Sequence, residues 1–209
     1  MLSFDFACRA TRGARDYQED SSAFWCSAGP DGAAPPAPLP FPDAGTTSAV
    51  PLVAVLADGM GGHVGGSLAS RTVCDTFLAA FVEAEAAPRE HLVAALDAAN
   101  GAIADKVARN PVLSGMGSTL VGVVFEQAGA SWISVGDSPL LLWRRGEIAT
   151  LNEDHSLAPE LDRLAAAGKI TLDQARRDPR RHMLRSAVTG EEIDLVDLPR
   201  KALRLEPGD

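Results

Sequence analysis

Residues 53–69 constrain this chain more than any other stretch. Val53 to Ala57 is a run of small apolar residues, Asp58 follows at once, and glycines stand at 59, 61, 62, 65 and 66 before an amphipathic helical pattern begins. The apolar run predicts a buried strand. A carboxylate closing such a strand is costly unless a partner or a metal compensates it, because the charge leaves water. Glycines let backbone groups approach a ligand that side chains would hold off. Asp58 and the carbonyl of Gly59 are then hard oxygen donors for a divalent cation. Plainer readings stay open on these residues alone: a tight strand–helix turn capped by Asp58, a dinucleotide loop, or a phosphate loop. The G-x-G-x-x-G spacing is absent, as is the Lys-Ser/Thr pair that follows the glycines of a phosphate loop.

The net charge of −9 argues against broad electrostatic attraction to nucleic acid. Any action on phosphate would need local cations, from a metal or from arginine. No apolar run reaches membrane-spanning length and no basic-then-apolar leader opens the chain, so the expectation is a cytoplasmic monomer without a membrane partner. Cys8, Cys26 and Cys74 are odd in number and far apart, supporting neither a disulfide framework nor a zinc site.

Residues 2–9 and Ser21–Ser27 read as strands flanking a charged stretch that includes Arg15, Glu19 and Asp20. Residues 28–50 are rich in Pro, Ala, Gly and Ser/Thr and predict a long surface loop. Two helices follow Asp58, the first carrying Ala69, Val73, Phe77 and Ala80, the second Leu92, Leu96, Ala99, Ile103 and Val107, started at Pro88 and stopped at Asn110-Pro111. Strands are predicted at Thr119–Phe125, Ser131–Val135 and Leu140–Trp143, with Asp137 in the turn between the last two. Leu157 to Gly168 predicts a short helix, and Thr171-Leu-Asp-Gln174 has the form of a capping box. Ile193–Val196 and Ala202–Leu205 read as closing strands. Strands and helices segregate along the chain, which predicts an α+β fold of antiparallel sheets with helices on their outer faces.

Five ordered stretches together resemble the metal-dependent protein phosphatase family (PPM-type, type 2C), in its bacterial branch. They are Arg15-Asp-Tyr-Gln-Glu-Asp-Ser21; Asp58-Gly-Met-Gly-Gly-His63 with Gly66-Ser-Leu-Ala-Ser70; Met116-Gly-Ser-Thr-Leu120; Val135-Gly-Asp-Ser138 with Arg144-Arg-Gly146; and Leu151-Asn-Glu-Asp-His-Ser156, followed by Gly168-Lys-Ile-Thr171 and Leu184-Arg-Ser-Ala-Val-Thr-Gly190. The resemblance implies a sandwich of two antiparallel β-sheets flanked by α-helices, with residues 157–190 as a flap. It implies hydrolysis of phosphoserine and phosphothreonine with two Mg²⁺ or Mn²⁺ ions and a third held more loosely. Carried over, Asp58 bridges two metals, the Gly59 carbonyl ligates one, Asp20 and Glu19 hold metal-bound waters, and Arg15 grips the substrate phosphate. Asp137 helps bind the third ion. His63 is expected in a supporting place, as is His155. The implied partners are phosphorylated proteins, a bacterial serine/threonine kinase and its targets among them.

The chain departs from the family at Gln18, where Asn is usual, at Met60, where animal relatives carry His, and at Pro139, where Arg is frequent. The family continues beyond Pro-Gly-Asp with a Ser-Asp-Gly motif and a late Asp-Asn pair whose aspartates complete the metal site. Residues up to Asp209 include neither. The expectation is therefore one phosphatase domain over residues 1–209, truncated at its C-terminus. The alternative is a pseudophosphatase that binds a phosphoprotein or kinase without turnover.

Overall fold

The computed structural model describes residues 3–14, 16–27, 39–40, 44–48, 50–83, 88–127 and 129–209. Its centre is strand β5, Leu52–Met60. To one side lies β2 (Asp20–Cys26), paired antiparallel from Asp20↔Asp58 to Cys26↔Leu52, and beyond it the two-residue β3 (Leu39–Pro40). To the other side lie β7 (Leu120–Glu126) and then β8 (Gly129–Val135). The short β6 (Gly117–Ser118) takes over as partner of β5 at Gly59 and Met60.

Side chains along a strand alternate between faces, and here the two faces differ. Val53, Val55 and Ala57 join Ala23, Trp25, Leu120, Val124, Ile133 and Val135 in the main core. That core is closed by helices α1 (His63–Glu83) and α2 (Pro88–Arg109), through Ala69, Val73, Phe77, Leu78 and Phe81 of the first and Leu92, Leu96, Ala99 and Ile103 of the second. Both helices stand where the apolar spacing predicts. Gly122 is the space into which the Phe77 ring fits, since a Cβ at this position would run into that ring.

The opposite face packs in two smaller clusters. Val121, Val123, Ala130 and Trp132 form one, and Phe24, Cys26 and Leu52 the other, with Phe4 and Phe6 against it. Among the described residues the second layer consists of two antiparallel ribbons: β1 (Phe4–Ala7) with β4 (Ala44–Thr47), and β9 (Leu141–Arg144) with β10 (Glu147–Thr150). This is the expected arrangement of antiparallel sheets with helices outside.

Four local expectations change. The predicted strand ending at Asp58 continues to Met60, because β6 supplies a new partner where β7 stops. The stretch 28–50, read as loop, contains β3 and β4, and residues 28–38, 41–43 and 49 lie outside the described ones. Strand β10 was not predicted. Its hairpin turns on Arg145 (φ 53) and Gly146 (φ 87), the positive-φ pair that a two-residue turn requires. Residues 193–196 and 202–205 are not strands: this segment touches β8 through single bridges at Ser134↔Asp197 and Ala130↔Leu203. Pro199 between them lacks the N–H a continuing ladder needs.

Helices α3 (Ala158–Ala166) and α4 (Leu172–Arg177) follow β10. The capping box forms as read: Thr171 Oγ1 accepts from the Gln174 N–H at 3.1 Å and Gln174 Oε1 accepts from the Thr171 N–H at 2.8 Å.

Candidate metal centre

Asp20 and Asp58 are direct partners in the β2–β5 register. Opposite residues of an antiparallel pair project from the same face with Cβ atoms about 4.5–5.5 Å apart, and like charges there are destabilising. Both are exposed, at the end of the sheet that the second layer leaves open; Leu56, two residues before Asp58 on the same face, is 44% exposed. The carboxylate of Asp58 is therefore not buried, as the apolar run before it suggested. It is exposed beside a second carboxylate, an arrangement that a divalent cation would offset.

The backbone of Asp58 is held on both sides. Its N–H donates to Thr119 Oγ1 at 2.9 Å, and its carbonyl accepts from Ser118 Oγ and from the Thr119 N–H, each at 2.9 Å. The Gly59 N–H donates to the Glu19 carbonyl at 3.1 Å. Gly59 and Gly66 allow the first turn of α1 to sit directly on the strand end: a Cβ on Gly59 would strike the Gly66 carbonyl. A Cβ on Gly66 would lie 2.5 Å from Glu19 Oε1, so the carboxylate of Glu19, a residue only 8% exposed, rests against that turn. A carboxylate at a helix N-terminus is favoured by the partial positive charge there.

Asp137 comes from the turn that follows a separate strand, β8. β8 leaves the sheet at Gly136, whose φ of 104 and close approach to Thr119 (2.6 Å from a Cβ position to Thr119 Cγ2) exclude a side chain. Thr119 Oγ1 is also hydrogen-bonded to Ser138 Oγ at 2.8 Å, so one hydroxyl joins the Asp58 backbone to the turn that carries Asp137. Asn152 pins the same turn, donating to the Ser138 carbonyl at 2.9 Å and accepting from the Leu140 N–H at 2.7 Å. His155 is buried behind it and bonds Gly136 twice, its N–H to the Gly136 carbonyl at 3.1 Å and its Nδ1 from the Gly136 N–H at 3.2 Å. Burial holds the His155 pKa below the ordinary histidine value, against the opposing pull of Glu153, Asp197 and Asp154. Thr119 and Asn152 are positioning groups that sequence reading passed over, although both lie inside quoted motifs.

Asp58, Thr119 and Asp137 share a cleft of about 730 Å³. Its far wall is residues 182–187 with Thr189, Glu191, Glu192 and Asp194. That wall is tied down by a two-way bridge between Val188 and Ser118 (3.0 and 2.9 Å) and by the Arg185 N–H, which donates to the His155 carbonyl at 2.8 Å. Asp20 does not line this cleft. Arg15 lies outside the described residues, and His63 opens α1 with its side chain outside them.

Among the described residues no three His, Cys, Asp or Glu side chains are grouped closely enough to hold a metal alone. Mg²⁺ usually keeps several waters and takes one or two carboxylates, so the opposed Asp20 and Asp58 suit such an ion better than they suit zinc.

The protein phosphatase 2C family model matches residues 41–196. The chain belongs to the protein phosphatase 2C family. It is 38% identical over 143 residues to the serine/threonine protein phosphatase PstP of Mycobacterium tuberculosis, covering 66% of this chain and 27% of PstP. It is 32% identical over 155 residues to the serine/threonine phosphatase stp of Listeria innocua, covering 70% of this chain and 60% of that protein. The crystal structure of M. tuberculosis PstP superposes with a TM-score of 0.66 at 28% identity, over 97% of this chain and 74% of that one. Another crystal structure, of the PstP catalytic domain in complex with two manganese ions, matches with a TM-score of 0.64 at 27% identity, over 97% and 73%. The chain thus spans less than two thirds of these curated relatives, about a quarter of PstP and 60% of stp.

Proposed function

We propose that this chain is the part of a metal-dependent serine/threonine protein phosphatase that carries Arg15, Asp20, Asp58 and Asp137. The observation that carries the reading is the placement of Asp58, from β5, and Asp137, from the turn after β8, in one cleft through the shared hydroxyl of Thr119. Asp58 and Asp20 would hold Mg²⁺ or Mn²⁺ together with the Gly59 carbonyl, and Asp137 would bind a further ion. Divalent ions in such a site lower the pKa of a bound water and offset the charge of a phosphoryl group.

The chain's own residues have distinct tasks in this reading. Arg15 presents a planar fork to two phosphate oxygens. Glu19 sets the distance between β5 and α1, and His63 supports the same turn. Residues 157–190 act as the flap, and their 182–187 segment forms the wall that orients the phosphorylated residue. No side chain need serve as nucleophile. The acidic cleft would repel a phosphate monoanion or dianion until cations are bound, so substrate binding itself follows metal binding.

The substrates proposed are phosphorylated proteins, a serine/threonine kinase and its targets among them, met by a cytoplasmic monomer. Among the described residues no helix is long and apolar enough to cross a membrane. The test is release of phosphate from p-nitrophenyl phosphate and from a phosphothreonine peptide, with Mn²⁺ and with chelator. Mn²⁺-dependent release that drops to the chelated background in folded Asp58→Ala is the expected result. Folded protein that binds the phosphopeptide equally with and without metal, and releases nothing, would overturn it.

A further inference from the structure

We propose that His155 is the positioning residue for Asp137, holding the Gly136–Asp137 turn in place through its Nδ1 atom. The proposal rests on the reading of Asp137 as a metal ligand.

His155 is 3% exposed, and an imidazole buried so far costs free energy unless its polar atoms are used. The atom is used on Gly136: Nδ1 accepts the Gly136 N–H at 3.2 Å, while the His155 N–H donates back to the Gly136 carbonyl at 3.1 Å. An imidazole that accepts at Nδ1 carries its proton on Nε2, so one tautomer is selected.

Gly136 itself is buried, and β8 ends one residue before it. Its N–H therefore depends on the imidazole, and a buried amide left without an acceptor bears its full desolvation cost. The turn would recover by shifting, and Asp137 is the next residue. On the other side Gly136 is stopped by Thr119, whose hydroxyl also holds Ser138. Asp137 is thus fixed between a threonine in front and a histidine behind.

His155 does not line the cleft, so it acts only through what it holds. Its carbonyl accepts the Arg185 N–H at 2.8 Å, and Arg185 is part of the cleft wall. One buried residue therefore sets the positions of both Asp137 and the wall opposite. The molecule offers a contrast in the half-buried His91, whose ring packs edge-on against Phe81 with Nε2 buried and without a hydrogen-bond partner among the described residues.

The test compares His155→Asn, whose Oδ1 sits near the place of Nδ1, with His155→Phe, which fills the volume without an acceptor. Amide hydrogen exchange of Gly136 is read in metal-free protein, and Mn²⁺ binding is read by calorimetry. In His155→Phe the Gly136 amide is expected to lose its protection, and the weaker class of Mn²⁺ site to lose about 10–100-fold in affinity, the usual effect of removing a group that supports a ligand. His155→Asn is expected to restore most of both. If His155→Phe fails to fold, His155→Gln replaces it, since its amide reaches toward the place of Nε2 and leaves Nδ1 vacant.

A Gly136 amide still protected in the acceptor-free variant overturns the clamp. Loss of protection with unchanged Mn²⁺ binding, or Asn and Phe variants falling together, overturns the positioning role. A wild-type chain whose Gly136 amide is protected but which binds no Mn²⁺ overturns the metal reading beneath it, which separates the two failures.

Discussion

The two faces of the central sheet have the same backbone and opposite uses. Residues 53, 55 and 57 of β5 point into a core closed by two long helices, while 54, 56 and 58 point to a face that is covered at one end and open at the other. On the first face the β5 side chains are all apolar and pack into the core. On the second, apolar cover gives out toward Leu56, and the aspartates stand where it ends. The difference teaches that stability and chemistry here are divided by the alternation of a single strand. A carboxylate at 57 would lie in the helix-covered core, whereas at 58 it reaches solvent and any ion the solvent carries.

The largest expected effect on stability belongs to the closed face. Phe77→Ala removes a fully buried ring seated on Gly122 and should cost about 3–5 kcal/mol in denaturant unfolding. Leu56→Ala on the open face should stay within about 0.5 kcal/mol. Equal losses would mean that the second face is closed like the first, and the comparison would fail.

A smaller effect sharpens the link between the aspartates. Thr119→Val keeps the shape but removes the hydroxyl shared by the Asp58 N–H and Ser138, costing about 1–3 kcal/mol for the unpaired amide. Mn²⁺ affinity should weaken about 10-fold or more, since the hydroxyl orients both carboxylates indirectly. Unfolding and Mn²⁺ titration on one preparation would show whether stability falls while affinity stays, which would separate Thr119 from the site.

The smallest effect lies on the second layer, far from the chemistry. The Arg144 guanidinium bonds both Asp209 carboxylate oxygens at 2.8 and 2.6 Å, and with the Glu206 N–H holds that carboxyl at about 2, below its ordinary 3.8. A depressed folded pKa contributes stability above the ordinary carboxylate range and loses it as pH falls through the folded value. Acid unfolding followed by circular dichroism should show wild type ahead of Asp209→Asn near pH ~5, with the gap closing toward pH ~2. A gap constant with pH would show that the pair is not a titrating contact.

Local chemistry was legible where neighbours in sequence decide it. Helical spacing placed α1 and α2, Pro88 and Asn110-Pro111 bounded α2, and Thr171 with Gln174 announced a capping box that forms atom for atom. The hairpin at Arg145-Gly146 carried a turn signal that went unread, so β10 was missed. The strands expected at 193–196 and 202–205 failed for the opposite reason. Their alternation is real, yet pairing depends on the partner edge, and β8 offers them only two single bridges.

By itself the sequence determined the helices and caps, the apolar alternation of the core strands, and the ordered motifs that identify the family, because each depends on residues close together in the chain. Only the tertiary structure decided that Asp20 stands directly opposite Asp58, that Thr119 ties Asp58 to the turn of Asp137, and that His155 backs Gly136 from across 19 residues. The physical reason is register. A shift of one residue between β2 and β5 would turn Asp20 to the other face, and no local preference fixes that register. It is set by where a whole sheet must bury Val53, Val55 and Ala57 beneath two helices.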